Sequence, residues 1–338
     1  MNNCPNLVKY VCGACLIVLL VISLNLSTLN NVAEAIVKTS GSLPKTQKSN
    51  LNLPEITPQD LIYNQFARSV FVLPEYKLIF FTFPKVACSE WKRMFMRVNG
   101  NENWCLIRGF NAHDPNKNLI KVLNDYEPEI ATAMMTSPLW TRAAIVREPK
   151  ERVLSAFLDK AVKEDYYVKH CCKKLPSEEE KEKCIKNEKN FESFLHYVTT
   201  YTEECFDVHW QPQLAKIDTK WWPFIDLIGH QNNLQHDAKM ILQHLTSARD
   251  EVEGRTAWDR YGKTGWGNSN ECENRTHAFL EENSSTHKLD TGSHLMEWYT
   301  PKAEKIVEEH WAIEWSEEKV QFPKVELFSK DSIEFSGV

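Results

Sequence analysis

Between residues 77 and 83 the chain reads KLIFFTF, an unbroken apolar run of strand length, and the periodicity changes directly after it. A run without alternation suits a strand buried on both faces. Trp91, Met94, Phe95 and Val98 then recur at helical spacing, with Lys92, Arg93 and Arg97 on the other side. RAAIV at 142 to 146 predicts a second buried strand. Val153, Leu154, Phe157, Leu158 and Ala161 predict a second amphipathic helix, and Pro149 suits its first turn. Further helical patterns run over 232 to 247 and 300 to 313. Strands separated by helices predict an α/β fold with a central parallel sheet flanked by helices.

The N-terminal pattern is of another kind. VCGACLIVLLVISLNL, residues 11 to 26, carries no charge and is close to the shortest run that spans a bilayer. As a signal-anchor transmembrane segment it leaves residues 1 to 10 as a cytosolic tail and places everything after Leu26 in the lumen. A cleaved signal peptide would instead use Ala33-Glu34-Ala35. The polar gap between the run and that site favours the anchor, and either route leads into the secretory pathway. Residues 27 to 60 hold Ser, Thr, Asn, Lys and Pro without a sustained period and read as a stem. The folded luminal domain is expected over 61 to 328.

Composition changes this picture in two ways. A net charge of −6 argues against a nucleic-acid-binding surface, while leaving room for an acidic ligand held by focused basic residues. The cysteines beyond the apolar run (Cys88, Cys105, Cys171, Cys172, Cys184, Cys205 and Cys272) fit an oxidising lumen. CCKKLPSEEEKEKCIKNEKN, 171 to 190, reads as a charged surface excursion stapled by a disulfide from Cys184 to Cys171 or Cys172. An odd number leaves one thiol free or paired between chains, and Cys88 is the candidate for the free one. Asn274 and Asn283 open glycosylation acceptors.

The chemistry gathers where strands end. After the first strand come Lys85, the small residues Val86, Ala87 and Cys88, and Ser89 at the start of a helix. A helix N-terminus offers unpaired N–H groups and partial positive charge, which suits a phosphate-like anion. No glycine is present, so this is not the GxxxxGK[ST] loop of nucleotide triphosphatases. The bland alternative is a snorkelling lysine and a helix-capping serine. The second unit, AIVREPKERVLSAFLDK, places Arg147 at a strand end, with Arg152 and Ser155 on the next helix. Arginine suits bidentate recognition of phosphate; its alternative is a strand-end ion pair with Glu148 or Glu151. Two such units imply a ligand with two separated phosphate-like groups. A third loop, AWDRYGKTGWG at 257 to 267, reads as a glycine-rich loop bringing Lys263 to a phosphate, or as an ordinary turn. Neither HExxH nor a clear carboxylate metal site is present.

FPKVACSEWKR and VREPKERVLSAFLDK resemble the 5′-phosphosulfate and 3′-phosphate motifs of Golgi carbohydrate sulfotransferases, among them the chondroitin 4-O-sulfotransferases. The resemblance extends to FDVHWQPQLAKID and FIDLIGHQNNLQHDAKMIL, so it covers most of residues 75 to 245. Where the family typically has Pro-Phe, this chain has Pro149-Lys150. The resemblance implies a sulfotransferase fold related to P-loop kinases and a single-pass type II Golgi membrane enzyme. It implies 3′-phosphoadenosine 5′-phosphosulfate as donor, no metal, and a glycan or proteoglycan acceptor; oligomeric state is left open. It assigns the donor to Pro84, Lys85, Val86, Ala87, Cys88, Ser89, Glu90 and Trp91 on one side and Arg147, Arg152 and Ser155 on the other. Lys85 would stabilise the leaving oxygen. His209 and His113 are the candidate bases for the acceptor hydroxyl, and His209 leads because its segment lies in the matched part. Two other functions compete: a luminal nucleotide-dependent phosphotransferase, disfavoured by the missing Walker glycines, and an inactive glycan-binding relative, disfavoured by the presence of Lys85, Ser89, Arg147 and Ser155.

Overall fold

The computed structural model describes residues 53–62, 70–102, 104, 119–262, 292, 294–316, 320 and 327. One sheet runs through it in the order β3–β1–β2–β4–β5, from Val70–Leu73 (β1), Leu78–Phe81 (β2), Lys121–Val122 (β3), Thr141–Val146 (β4) and Leu227–His230 (β5). The parallel part is β2–β4–β5, with Phe81 opposite Ala144 and Val146 opposite His230. β1 is antiparallel to both β2 and β3, so the sheet is mixed where a parallel one was expected. The cause is local. β1 turns straight back into β2 through Pro74–Tyr76, with Lys77 in the left-handed region at φ 47°. A turn that short can only make a hairpin, whereas parallel neighbours need a crossover.

The crossover from β2 to β4 begins with the helix Cys88–Val98, and that from β4 to β5 with the helix Pro149–Phe157. Both helices therefore start at the same end of the sheet, beyond the carboxyl ends of adjacent parallel strands. In open α/β sheets that end is where ligands bind.

Two apolar cores flank this arrangement. Around the sheet, Phe80 packs on Trp91 and Phe95 with ring centroids 4.4 and 5.2 Å apart. Aromatic side chains buried this fully are worth about 1.5–3 kcal/mol each. Ile56 and Leu61 already belong to this core, and Asp60 pairs with Lys220 at 2.7 Å, so packing begins before residue 61. The second core is helical. Phe157 lies against Phe191, Phe194 and Trp298, and the helices Phe191–Thr200 and Pro301–His310 complete it.

The charged 171–190 segment joins this second core through its cysteines. Cys172 pairs with Cys184, which settles the two alternatives, and Cys171 pairs with Cys205. All four are buried, while the helix Glu178–Lys186 between them keeps its charges outside. Cys88 is a free thiol. Cys105, Cys272, Asn274, Asn283 and the apolar segment 11 to 26 lie outside the described residues. Among those that are described, no helix is long and apolar enough to cross a membrane.

Candidate functional site

The loop after β2 is built without glycine yet takes a glycine-like path. Lys85 and Ala87 both sit in the left-handed region, at φ 69° and 50°. Each costs about 1–2 kcal/mol for a residue bearing a Cβ. Such strain persists only where surrounding structure holds it, and it gathers at functional sites. The helix then opens at Cys88 with Ala87 as its cap and no side-chain capping bond, so Ser89 is not a capping serine. The amides of Glu90 and Trp91 bond the carbonyl of Ala87. Residues 84 to 87 form a turn that runs straight into the helix start at Cys88, where the first amides of a helix have no partner within the helix. A helix start reached through such a turn suits an anion.

Lys85 is not a snorkelling side chain. It is 13% exposed, and its Nζ lies 3.0 Å from Oδ2 of Asp159. Burial pulls its pKa down, and the Asp159 carboxylate opposes that. The backbone carbonyl of Lys85 accepts from Arg147 Nη1 at 3.2 Å, so the second unit clamps the first. Arg147 also pairs with Glu151 at 3.4 Å, the strand-end partner that was its alternative. Glu151, Ser155 and Asp159 recur at intervals of four along one helix and the wider turn, Leu158–Val162, that continues it. Two of the three touch Lys85 or Arg147, and this puts Ser155, 3% exposed, on the stripe between them.

Arg152 requires a correction. It is fully buried, and its guanidinium donates to the backbone carbonyls of His209 and Gln211 and pairs with Glu314 at 3.5 Å. A side chain enclosed in this way cannot reach a bound anion without breaking those bonds. It pins the segment that carries His209. Lys150 is buried and pairs with Glu304 at 2.5 Å and Glu308 at 3.0 Å, both on the helix Pro301–His310. A buried ammonium is tolerated there because the C-terminal helix brings the matching charges.

Beside it, Glu148 accepts the amide of Glu151 and caps the helix. Burial raises its pKa from 4.5 to about 7, against the stabilising amides. The folded state therefore holds a proton that the unfolded chain has lost, and stability falls as pH rises from about 4.5 to about 7. Glu148→Gln keeps an acceptor without the charge. It is expected to flatten that part of the stability–pH curve and to raise stability at pH 8 by up to about 3 kcal/mol, measured by denaturant unfolding.

His209 stands in a second, connected group. Its Nδ1 lies 2.5 Å from Oδ1 of Asp207, whose Oδ2 accepts the Tyr166 hydroxyl at 2.7 Å. Burial opposes ionisation of Asp207, but the hydrogen bonds from His209 and Tyr166 outweigh it and hold the carboxyl below its usual range. A carboxylate on Nδ1 fixes the proton there and leaves Nε2 to accept one. The link back to the loop is continuous: Lys160 lies 3.2 Å from Asp159 and 5.1 Å over the Tyr166 ring, which meets the His209 ring edge-on at 5.4 Å. Sequence reasoning does not single out Asp207, Asp159 or Tyr166. The D-x-H spacing of Asp207 and His209 is the available signal for the first.

His113 and Lys263 lie outside the described residues. The turn Trp258–Gly262 before Lys263 is packed: Trp258 is buried in the sheet core, and Gly262 lies so close to its ring that a Cβ would collide. Glu90 and Trp91 are also buried, Glu90 against Arg93 at 2.5 Å, so they shape the helix start from behind. Among the described residues, no group of three His, Cys, Asp or Glu side chains is placed to hold a metal ion.

Comparison with known proteins gives one consistent direction. Residues 68–290 match the pattern described as the Sulfotransferase family. Carbohydrate sulfotransferase 9 of Homo sapiens is 28% identical over 191 residues, 54% of this chain and 42% of that protein. Carbohydrate sulfotransferase 11 of Mus musculus is 26% identical over 200 residues, 56% of this chain and 54% of that protein. Carbohydrate sulfotransferase 10 of Homo sapiens is 26% identical over 212 residues, covering 56% and 58%. The chain thus spans about half the length of these curated relatives. No solved structure matches it. The family match takes in the strained loop, Arg147 and the Asp207–His209 pair together, and the chain belongs to the sulfotransferase family.

Proposed function

We propose that the chain is a carbohydrate sulfotransferase that moves a sulfuryl group from 3′-phosphoadenosine 5′-phosphosulfate to a glycan hydroxyl by in-line transfer. The observation that carries this reading is the clamp of Arg147 on the carbonyl of Lys85, which joins the two anion-binding units into one site. The donor set fits such a ligand: the helix-start amides and Lys85 for the phosphosulfate, Arg147 and Ser155 for the second phosphate.

The roles follow from charge. The acceptor oxygen attacks sulfur, the bond from sulfur to the bridging oxygen breaks, and that electron pair stays on the nucleotide phosphate. Lys85 stabilises this developing charge, and the helix-start amides hold the anion without reorganising. His209 accepts the acceptor proton at Nε2, with Asp207 stabilising the imidazolium that results. Buried Arg152 and Lys216, which donates to the carbonyl of Val208, keep the base segment in place.

The acceptor is a glycan or proteoglycan hydroxyl. We place the protein in the Golgi membrane as a type II protein, with residues 1–10 cytosolic, 11–26 as the anchor and the rest luminal, a stem that gives way to the folded domain by Ile56, ahead of the boundary expected at 61. The two buried disulfides support an oxidising compartment.

Binding of the nucleotide product, adenosine 3′,5′-bisphosphate, tests the site. Arg147→Ala removes both a phosphate partner and the clamp on the loop. Charge-assisted hydrogen bonds are worth about 1.5–3 kcal/mol, so affinity measured by titration calorimetry should fall at least about tenfold. Unchanged affinity in a folded Arg147→Ala protein would refute the assignment.

A further inference from the structure

The donor reading leaves one charge unexplained. Asp159 points a carboxylate into the loop that is to hold a strongly anionic ligand, and it lies 3.0 Å from the lysine meant for that ligand. We propose that Asp159 is a positioning residue that acts as the resting counter-ion of Lys85 and competes with the donor for its ammonium. The proposal rests on the donor-site reading above and adds to it a residue that governs when Lys85 becomes available.

Three observations carry it. Both side chains are enclosed, at 13% and 12% exposure, so solvent screens their attraction only in part. The backbone of Lys85 is fixed separately, by its left-handed conformation and by Arg147, so its ammonium can leave the carboxylate without the loop unfolding. Asp159 has a second cation, Lys160 at 3.2 Å, and Lys160 is in turn held by Glu164 at 3.0 Å. Asp159 thus keeps a partner when Lys85 turns away. A carboxylate with only one cation would be left buried and unpaired by that movement, at a cost that would block it. With two, the exchange of Lys85 from carboxylate to phosphosulfate is possible, and the carboxylate sets a threshold that only an anion in the loop can overcome. No bond to carbon, sulfur or phosphorus changes in this step.

The test uses the full chain, adenosine 3′,5′-bisphosphate as probe and titration calorimetry, with thermal melts to confirm folding. Asp159→Asn is nearly isosteric; Asp159→Ser repeats the test if the first variant does not fold. Each is compared in the Lys85 and the Lys85→Met background. Removal of one nearby negative charge should tighten binding about tenfold with Lys85 present, and by less than about threefold without it. A residue that merely supported the fold would weaken binding when replaced. An equal gain in both backgrounds would show plain repulsion and overturn the proposal, as would unchanged or weaker binding by the folded variants. Failure of the wild-type protein to bind the probe would remove the donor reading itself, and this proposal with it.

Discussion

Replacing Lys85 by alanine is expected to lower turnover by roughly 10²–10³ while changing donor affinity far less, because in the proposed transfer its charge acts on an oxygen that becomes negative mainly in the transition state. The corresponding loss is about 2.7–4 kcal/mol. The structure makes this a clean substitution. Ala87 shows that this loop accepts alanine in the left-handed region, and Asp159 retains Lys160 when Lys85 is cut back. The carbonyl that Arg147 grips belongs to the backbone and survives the change. The split between kcat and the KM for the donor in steady-state kinetics separates the two effects. A fall in affinity that accounts for the whole loss of rate would make Lys85 a binding residue only.

His209→Ala is expected to cost about 10²–10⁴ in rate, the usual span for a general base. That range overlaps the loss at Lys85, so size does not distinguish the roles, but the pH profile does. A base must be unprotonated to accept the acceptor proton, so activity falls as pH drops through its pKa. His209→Ala should therefore abolish the acidic limb of the profile, and Lys85→Ala should leave it in place. His113→Ala should also leave it in place; if that variant alone loses the limb, His113 is the base.

Much of this site is legible in the amino-acid pattern itself. The unbroken run at 77 to 83 marks a buried strand, and the helical spacing of Trp91, Met94 and Phe95 marks the element that follows it. Chemistry-bearing residues at two strand ends then point to one ligand, because parallel neighbours bring such ends together. The hairpin strand β1 is not legible: four apolar residues beside a three-residue turn carry too little period to separate from a loop. Arg152 misleads for a related reason. Sequence shows a guanidinium soon after Arg147 but not which side of the helix faces the loop, and Glu314, its buried partner, lies 162 residues further on. Asp159 and Tyr166 escape notice because their roles depend on partners. An aspartate among lysines reads as a solvated helix face until the fold places it on Lys85.

The most direct test of the account is transfer of label from 35S-labelled 3′-phosphoadenosine 5′-phosphosulfate to a panel of desulfated glycans, run beside γ-labelled ATP. Sulfate label in a glycan, formed at least about a hundredfold more slowly by Lys85→Ala and His209→Ala, is the result expected. Label transferred from ATP instead would make the chain a phosphotransferase. Glycan binding without transfer from either donor would make it an inactive relative and contradict the account.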